Sequence, residues 1–149
     1  MKVMTKKKFS VIGIGYVGLP LAVALSRNNK IVGFDTNINR VQGLRKGNDI
    51  TNEFSKNNFI KNKNLIFTNK EAEIKNSDVF FITVPTPIND KNKPNLDHLE
   101  QASKTVARNI KKNSIVVFES TVYPGCTEEI CLPILEKFSR LKANKDFYL

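Results

Sequence analysis

The sequence has no apolar stretch near the roughly 18 residues that a membrane-spanning helix requires. Its basic N-terminus, Met1 to Lys8, is followed by a strand-like segment instead of the apolar core and small-residue cleavage site of a signal peptide. These absences predict a cytoplasmic protein that does not insert into a membrane. We interpret residues 1–8 as a short disordered lead-in.

Cysteine and histidine are also scarce. Cys126 and Cys131 are the two cysteines, and their spacing is not the C-x-x-C of metal or redox motifs. We expect both to be reduced and half-buried. His98, the single histidine, is interpreted as a surface residue. These residues predict no metal site.

Acidic residues are too few to balance the basic ones, because 24 Lys and Arg face 14 Asp and Glu for a net charge of +10. Such a surplus can indicate nucleic-acid binding. The lysines, however, are scattered among asparagines in loops, as at 56–63 and 91–93, without interleaved aromatic residues. We therefore predict no nucleic-acid partner, and expect the positive field to attract anionic small molecules.

Short apolar runs alternate with helical patterns along the 149 residues, a length typical of one domain. Strands are predicted at 9–14, 31–34, 65–68, 79–84 and 114–118, and helices at 17–28, 38–46, 71–75, 96–111 and 127–140. This alternation favours an α/β fold in which helices cover both faces of a doubly wound parallel sheet, a Rossmann fold spanning residues 9–149. The final residues, 147–149, are interpreted as the start of a sixth strand at which the chain is truncated.

Three details concern helix ends. Gly47 is placed to cap the second helix at its C-terminus. Thr127 is a candidate N-cap for the last helix. Pro133, about two turns further on, predicts either a kink or a later start of that helix.

The strongest motif is G-x-G-x-x-G at residues 13–18, which follows a predicted strand and opens a predicted helix. Gly13 would permit the tight turn, Gly15 would let a diphosphate approach the backbone, and Gly18 would allow close helix–sheet packing. The helix N-terminus offers free N–H groups to phosphate oxygens. The motif therefore predicts a dinucleotide site.

Asp35 ends the next predicted strand, seventeen residues after Gly18. Its carboxylate can accept hydrogen bonds from both adenosine ribose hydroxyls and would repel the additional phosphate of NADP, so NAD is the predicted cofactor. Arg40 leaves alternatives open. It can serve a 2′-phosphate, pack over the adenine or ribose, or be a solvated helix residue.

Two later segments end beside the same crevice, because ligands of this fold bind beyond the carboxyl ends of the strands. They are Val84-Pro85-Thr86-Pro87 and Glu119-Ser120-Thr121-Val122. Both would bring hydroxyls and rigid backbone to the nicotinamide half of the cofactor. Taken by themselves, they are equally well explained as plain loops.

Together, GIGYVGLPLA, GFD, VPTPI and ESTVYPG resemble the N-terminal NAD domain of the UDP-glucose/GDP-mannose dehydrogenase family, most closely the bacterial enzymes that oxidise UDP-N-acetylhexosamines at C6 for capsule and O-antigen polysaccharides. The resemblance covers nearly the whole chain. It implies that the backbone N–H groups of Tyr16 and Val17 bind the pyrophosphate and that Asp35 and Arg40 hold the adenosine. The implied nicotinamide-side residues are Val84, Pro85, Thr86, Ser120, Thr121 and Val122, with Thr121 also ordering the catalytic water.

The family's chemistry implies a larger protein. Members convert a C6 alcohol to a carboxylate with two NAD and a nucleophilic cysteine that holds the substrate covalently. That cysteine belongs to a second nucleotide-binding domain beyond a linker helix, which also forms the family dimer. Cys126 and Cys131 do not match its motif. We therefore expect this fragment to bind NAD without turnover, and a UDP-sugar to be a partner of the full-length homodimer alone.

Two alternatives remain at this level. A β-hydroxyacid or 6-phosphogluconate-type dehydrogenase has a similar N-terminal domain, although without the ESTVYPG wording. A non-catalytic NAD-binding module is the other.

Overall fold

The computed structural model describes residues 7–55, 62–88 and 93–149. Residues 1–6 of the predicted lead-in, 56–61 of the predicted Asn-rich loop and 89–92 of the loop before the third long helix lie outside the described residues. Across the three described ranges, no helix combines the length and apolarity needed to cross a bilayer.

The described residues form five strands and four α-helices in alternation. The strands are β1 (Lys8–Ile12), β2 (Lys30–Phe34), β3 (Leu65–Thr68), β4 (Val79–Ile82) and β5 (Ile115–Phe118), and the helices are α1 (Gly18–Leu25), α2 (Ile38–Arg45), α3 (Asp97–Asn109) and α4 (Leu132–Ser139). The predicted short helix at 71–75 is a single 3₁₀ turn, Glu71–Glu73.

All five strands are parallel and lie in the order β3-β2-β1-β4-β5. The chain reverses its direction of winding between β1 and β4, which confirms the predicted doubly wound Rossmann fold. The C-terminal residues continue this pattern. Tyr148 N–H donates to Ser114 O at 3.0 Å and Val116 N–H donates to Tyr148 O at 2.8 Å, so a sixth parallel segment begins beside β5.

Each face of the sheet has its own core, because neighbouring residues of a strand point to opposite sides. Val11 of β1 belongs to the cluster under α1 and α2, whereas Ile12 belongs to the cluster under α3 and α4. Both are at most 2% exposed. Burial on both faces explains why the central strands read as continuous apolar runs.

The ends of α2 show how the sequence sets the helix boundaries next to the crevice. Asn37 is the N-cap, and its side-chain oxygen accepts hydrogen bonds from the N–H groups of Asn39 and Arg40. Gly47 has φ +88° and ends the helix in a Schellman motif, with Gly47 N–H bonded to Leu44 O and the next N–H bonded to Gly43 O. The predicted glycine cap is confirmed.

The structure corrects two predictions at element boundaries. Lys8 is not part of a lead-in: it begins β1, and its N–H donates to Asp78 Oδ2 at 2.8 Å. Thr127 is not an N-cap, because it lies within a π-helical turn, Thr127–Cys131. Pro133 occupies the first turn of α4, which begins at Leu132. Of the two predicted outcomes, a kink or a later helix start, the α-helix therefore shows the later start.

Acid should destabilise the fold, because several carboxylates are held in their ionised form. Ion pairing with Arg108 lowers the pKa of Glu71. Burial would raise the pKa of Asp49, but hydrogen bonds from Thr51, Arg40 and nearby backbone outweigh it and lower that pKa to about 2. A depressed pKa contributes stability above the unfolded-state value that is lost as pH falls towards the folded value. We expect Tm to be nearly flat above pH 5 and to fall between about pH 4 and pH 2. A Tm that is constant down to pH 2 would contradict this.

Candidate cofactor-binding site

A cavity of about 600 Å³ opens at the carboxyl edge of the sheet, at the switch point between β1 and β4. This volume lies within the range of small-molecule and cofactor pockets. Its lining comes from the glycine-rich turn, the end of β2, the start of α2, the segment after α2, the loops after β4 and β5, and one face of α3. Predicted site residues that line it are Gly13, Gly15, Tyr16, Val17, Asp35, Arg40, Val84, Pro85, Thr86, Ser120 and Thr121.

Two of the three glycines in the turn are required by the fold, Gly13 by its backbone conformation and Gly18 by close packing. Gly13 has φ +93°, a left-handed conformation that favours glycine. Gly18 is buried, and a Cβ there would collide with the carbonyl oxygen of Gly13 and with Oγ1 of Thr83. Gly18 does not line the cavity, so its part is to let the start of α1 approach the turn and the end of β4.

Gly15 faces open space instead. A Cβ built on it would meet no atom within 4 Å. The backbone N–H groups of Gly15, Tyr16 and Val17 have no hydrogen-bond acceptor among the described residues. An anion that approaches the turn would therefore meet a bare backbone and unpaired donors at the start of a helix.

Asp35 follows β2 and is held from two sides. Ile14 N–H donates to its Oδ2 and Asn37 N–H donates to its Oδ1, each at 2.9 Å. An ionised carboxylate has about four acceptor positions, so these bonds orient Asp35 and leave it able to accept from a ligand in the cavity.

Arg40 is not the solvated helix residue that was one of its interpretations. Its side chain is 6% exposed, because Nε donates to Ile14 O at 2.7 Å and Nη1 pairs with Asp49 Oδ1 at 2.8 Å. Its Nη2 is buried without a hydrogen-bond partner among the described residues. A buried N–H group of this kind is costly unless an acceptor reaches it.

The loops after β4 and β5 bind each other. Thr86 Oγ1 donates to Thr121 O, and Ser120 Oγ donates to Val84 O, both at 2.6 Å. These reciprocal bonds make one rigid wall from two segments about 35 residues apart in sequence. Val122 does not contribute to the wall, because it packs against the core under α3 and α4 instead.

Several lining residues were missed by sequence reasoning. His98, Gln101, Ala102 and Thr105 face the cavity from α3, whereas Glu119, which also lines it, belongs to the segment after β5 that the sequence did predict. His98 is exposed as predicted, but it is also one of the residues that line the cavity. The spacing of 98, 101, 102 and 105 marks one helical face, yet the sequence does not say that this face meets the glycine-rich turn. Thr83, which holds Gly13 O at 2.6 Å, gave no sequence signal.

This parallel sheet with its glycine turn, acidic residue after β2 and crevice at the switch point is a Rossmann-type dinucleotide-binding domain. Residues 7–149 match the model of the UDP-glucose/GDP-mannose dehydrogenase family, NAD binding domain. The chain belongs to that family. The β-hydroxyacid and 6-phosphogluconate-type alternative is thereby set aside.

Similar proteins agree with this assignment. The chain is 47% identical to Protein CapL of Staphylococcus aureus over 96% of its length, and 46% identical to a UDP-N-acetyl-D-glucosamine 6-dehydrogenase of Pseudomonas aeruginosa over 97%. Among solved structures, a UDP-D-ManNAc dehydrogenase of Pyrococcus horikoshii matches 94% of this chain at 30% identity with a TM-score of 0.87. The chain spans 34% of the length of each of these proteins.

Proposed function

We propose that this chain binds NAD across the cavity, with the diphosphate against the glycine-rich turn. The observation that carries the proposal is the bare backbone at Gly15, beside the unpaired N–H groups of Tyr16 and Val17. Asp35 would accept from the adenosine ribose hydroxyls, and the buried Nη2 of Arg40 would gain an acceptor on the adenosine. The nicotinamide half would lie along the wall formed by Thr86, Ser120 and Thr121.

The same geometry favours NAD over NADP. In the proposed binding mode the negative charge of Asp35 would face a 2′-phosphate on the adenosine ribose, and like charges repel. Arg40 does not offset this effect, because its guanidinium is already paired with Asp49. The charge of the pair is thus largely neutralised within the protein.

The activity that we propose for the whole protein is oxidation of the C6 alcohol of a UDP-N-acetylhexosamine to a carboxylate, for surface polysaccharide synthesis in the cytoplasm. The similarity to UDP-N-acetyl-D-glucosamine 6-dehydrogenases supports this substrate class. When bound, NAD would supply the hydride acceptor. Thr121 would help to order a water molecule beside it, and the covalent nucleophile would come from a second domain. A homodimer formed through a linker helix is part of the same proposal.

Residues 1–149 alone should bind NAD without oxidising substrate. Isothermal titration calorimetry with NAD, NADP and UDP-N-acetylglucosamine should give saturable heat for NAD, an affinity for NADP that is lower by at least about tenfold, and no heat for the UDP-sugar. Release of NADH, followed by absorbance, should be absent when NAD and UDP-sugar are mixed with the chain.

Each opposite outcome identifies a different error. Equal affinities for NAD and NADP would contradict the role of Asp35. Oxidation of a UDP-sugar by residues 1–149 would contradict the assignment of the nucleophile to a second domain. NAD binding by a full-length protein that oxidises no nucleotide sugar would favour the remaining alternative, a non-catalytic NAD-binding module.

A further inference from the structure

Asp49 is a fully buried carboxylate beside the cavity that the binding site itself does not include. Its side chain is 0% exposed. Oδ1 accepts from Arg40 Nη1 at 2.8 Å, from Thr51 Oγ1 at 2.7 Å and from Thr51 N–H at 3.1 Å. Oδ2 accepts from the N–H groups of Glu53 and Phe54 at 3.0 and 3.1 Å. Every oxygen of this carboxylate is therefore used inside the protein.

One branch of these bonds leads to the glycine-rich turn. Asp49 holds Arg40, whose Nε donates to Ile14 O at 2.7 Å. Ile14 N–H in turn donates to Asp35 Oδ2, and Asp35 Oδ1 accepts from Asn37 N–H. Asn37 also caps the helix that carries Arg40, at 3.2 Å. These bonds join five residues into one network: Ile14, Asp35, Asn37, Arg40 and Asp49.

The other branch leads to the part of the cavity wall that follows α2. Asp49 organises the turn over residues 49–54 by accepting from three of its N–H groups. Ile50 and Thr51 of that turn line the cavity, and Ile50 is 76% exposed. An isoleucine so exposed does not hold its own backbone in place by packing. Phe54, at the end of the turn, packs against the core under α1 and α2, so the hydrogen bonds to Asp49 are what hold the cavity-facing part of the turn.

We propose that Asp49 is a positioning residue for the adenosine half of the cofactor, acting through Arg40 and through the turn that carries Ile50 and Thr51. The inference rests on the proposed function, because it assumes that the cavity binds NAD. A site that is ordered before its ligand arrives binds more tightly, since less conformational entropy is lost on binding. The unpartnered Nη2 of Arg40 is the donor that this arrangement presents to the ligand.

Asp49→Asn tests the proposal, because it keeps the shape of the side chain while removing its charge and turning one acceptor into a donor. A thermal unfolding curve first shows whether the variant folds. NAD, ADP-ribose and nicotinamide mononucleotide are then titrated into the folded protein by calorimetry. We expect NAD and ADP-ribose to lose affinity by the same factor, on the order of tenfold, the effect of losing one hydrogen bond to a charged group. The affinity for nicotinamide mononucleotide should not change.

Glu71→Gln is the matched control. Glu71 is also an ionised acid paired with an arginine, Arg108, at 2.6 Å, but it lies outside the cavity. Its variant should be less stable with unchanged NAD affinity. If Asp49 acted on stability alone, NAD affinity would be unchanged in both variants.

A second variant covers the case in which Asp49→Asn does not fold. Thr51→Val keeps the pairing of Asp49 with Arg40 and removes a hydroxyl donor that is committed to Asp49. We expect NAD and ADP-ribose to bind about three- to tenfold more weakly, as for loss of one hydrogen bond. Unchanged affinities in a folded variant, or an equal loss for nicotinamide mononucleotide, would overturn the inference. No NAD binding by the unmodified chain would refute the proposed function instead.

Discussion

Asp35→Ala should weaken NAD binding by about ten- to a hundredfold, because charged hydrogen bonds to ribose hydroxyls are worth roughly 1.5–3 kcal/mol. The affinity for NADP should not fall in parallel, since the same substitution removes the charge that repels a 2′-phosphate. The ratio of the two dissociation constants, measured by calorimetry, is thus the informative quantity. It should move towards NADP.

Asp35 also accepts from the N–H groups of Ile14 and Asn37, so its removal will loosen the glycine-rich turn to some degree. Asp146→Ala is a suitable control. Asp146 likewise accepts from a backbone N–H and pairs with Lys112, but it lies beside the residues that precede β5, at the opposite end of that strand from the cavity. Its variant should bind NAD normally. Equal losses of NAD and NADP affinity in Asp35→Ala would show that Asp35 acts on the fold of the turn and not on the cofactor.

Two alanine substitutions in the glycine-rich turn should affect different properties, stability in one case and NAD affinity in the other. In Gly18→Ala the new Cβ collides with the backbone of Gly13 and with Thr83, neither of which can retreat freely. Overpacking of this kind costs about 3 kcal/mol of unfolding free energy. For a chain of this size, that cost lowers Tm by about 6–12 °C.

In Gly15→Ala the new Cβ enters open space, so Tm should stay within about 2 °C of the unmodified chain. The methyl group would, however, occupy the space through which a diphosphate reaches the backbone, and NAD affinity should fall by about tenfold or more. Thermal unfolding and calorimetry on both variants separate the two roles. Full NAD affinity in Gly15→Ala would mean that the diphosphate does not approach this turn.

The features that the sequence predicts well are local ones. The glycines at 13, 15 and 18 and the acid at 35 follow from a fixed strand–turn–helix spacing, and Gly47 ends α2 because a left-handed residue is needed there. The parallel sheet follows from alternating apolar runs. In each case the physical cause lies within a few residues of the feature.

The features that escaped prediction depend on contacts between distant segments. The sequence left three interpretations of Arg40 open, because the bond that buries its guanidinium, from Nε to Ile14 O, joins residues 26 positions apart. His98 and Thr105 line the cavity because α3 packs against β4 and so faces the crevice, which no local pattern encodes. The π-helical turn before Pro133 was also not predicted from the sequence. Leu132 N–H bonds to Thr127 O, which shifts the helical register by one residue just before a proline that has no N–H to donate.

The position of the cofactor in a crystal of this chain grown with NAD tests the central claim most directly. We predict diphosphate oxygens within hydrogen-bonding distance of the N–H groups of Tyr16 and Val17, with the adenosine ribose on the carboxylate of Asp35. NAD bound elsewhere on the chain, or bound here with its diphosphate away from residues 15–17, would contradict the account.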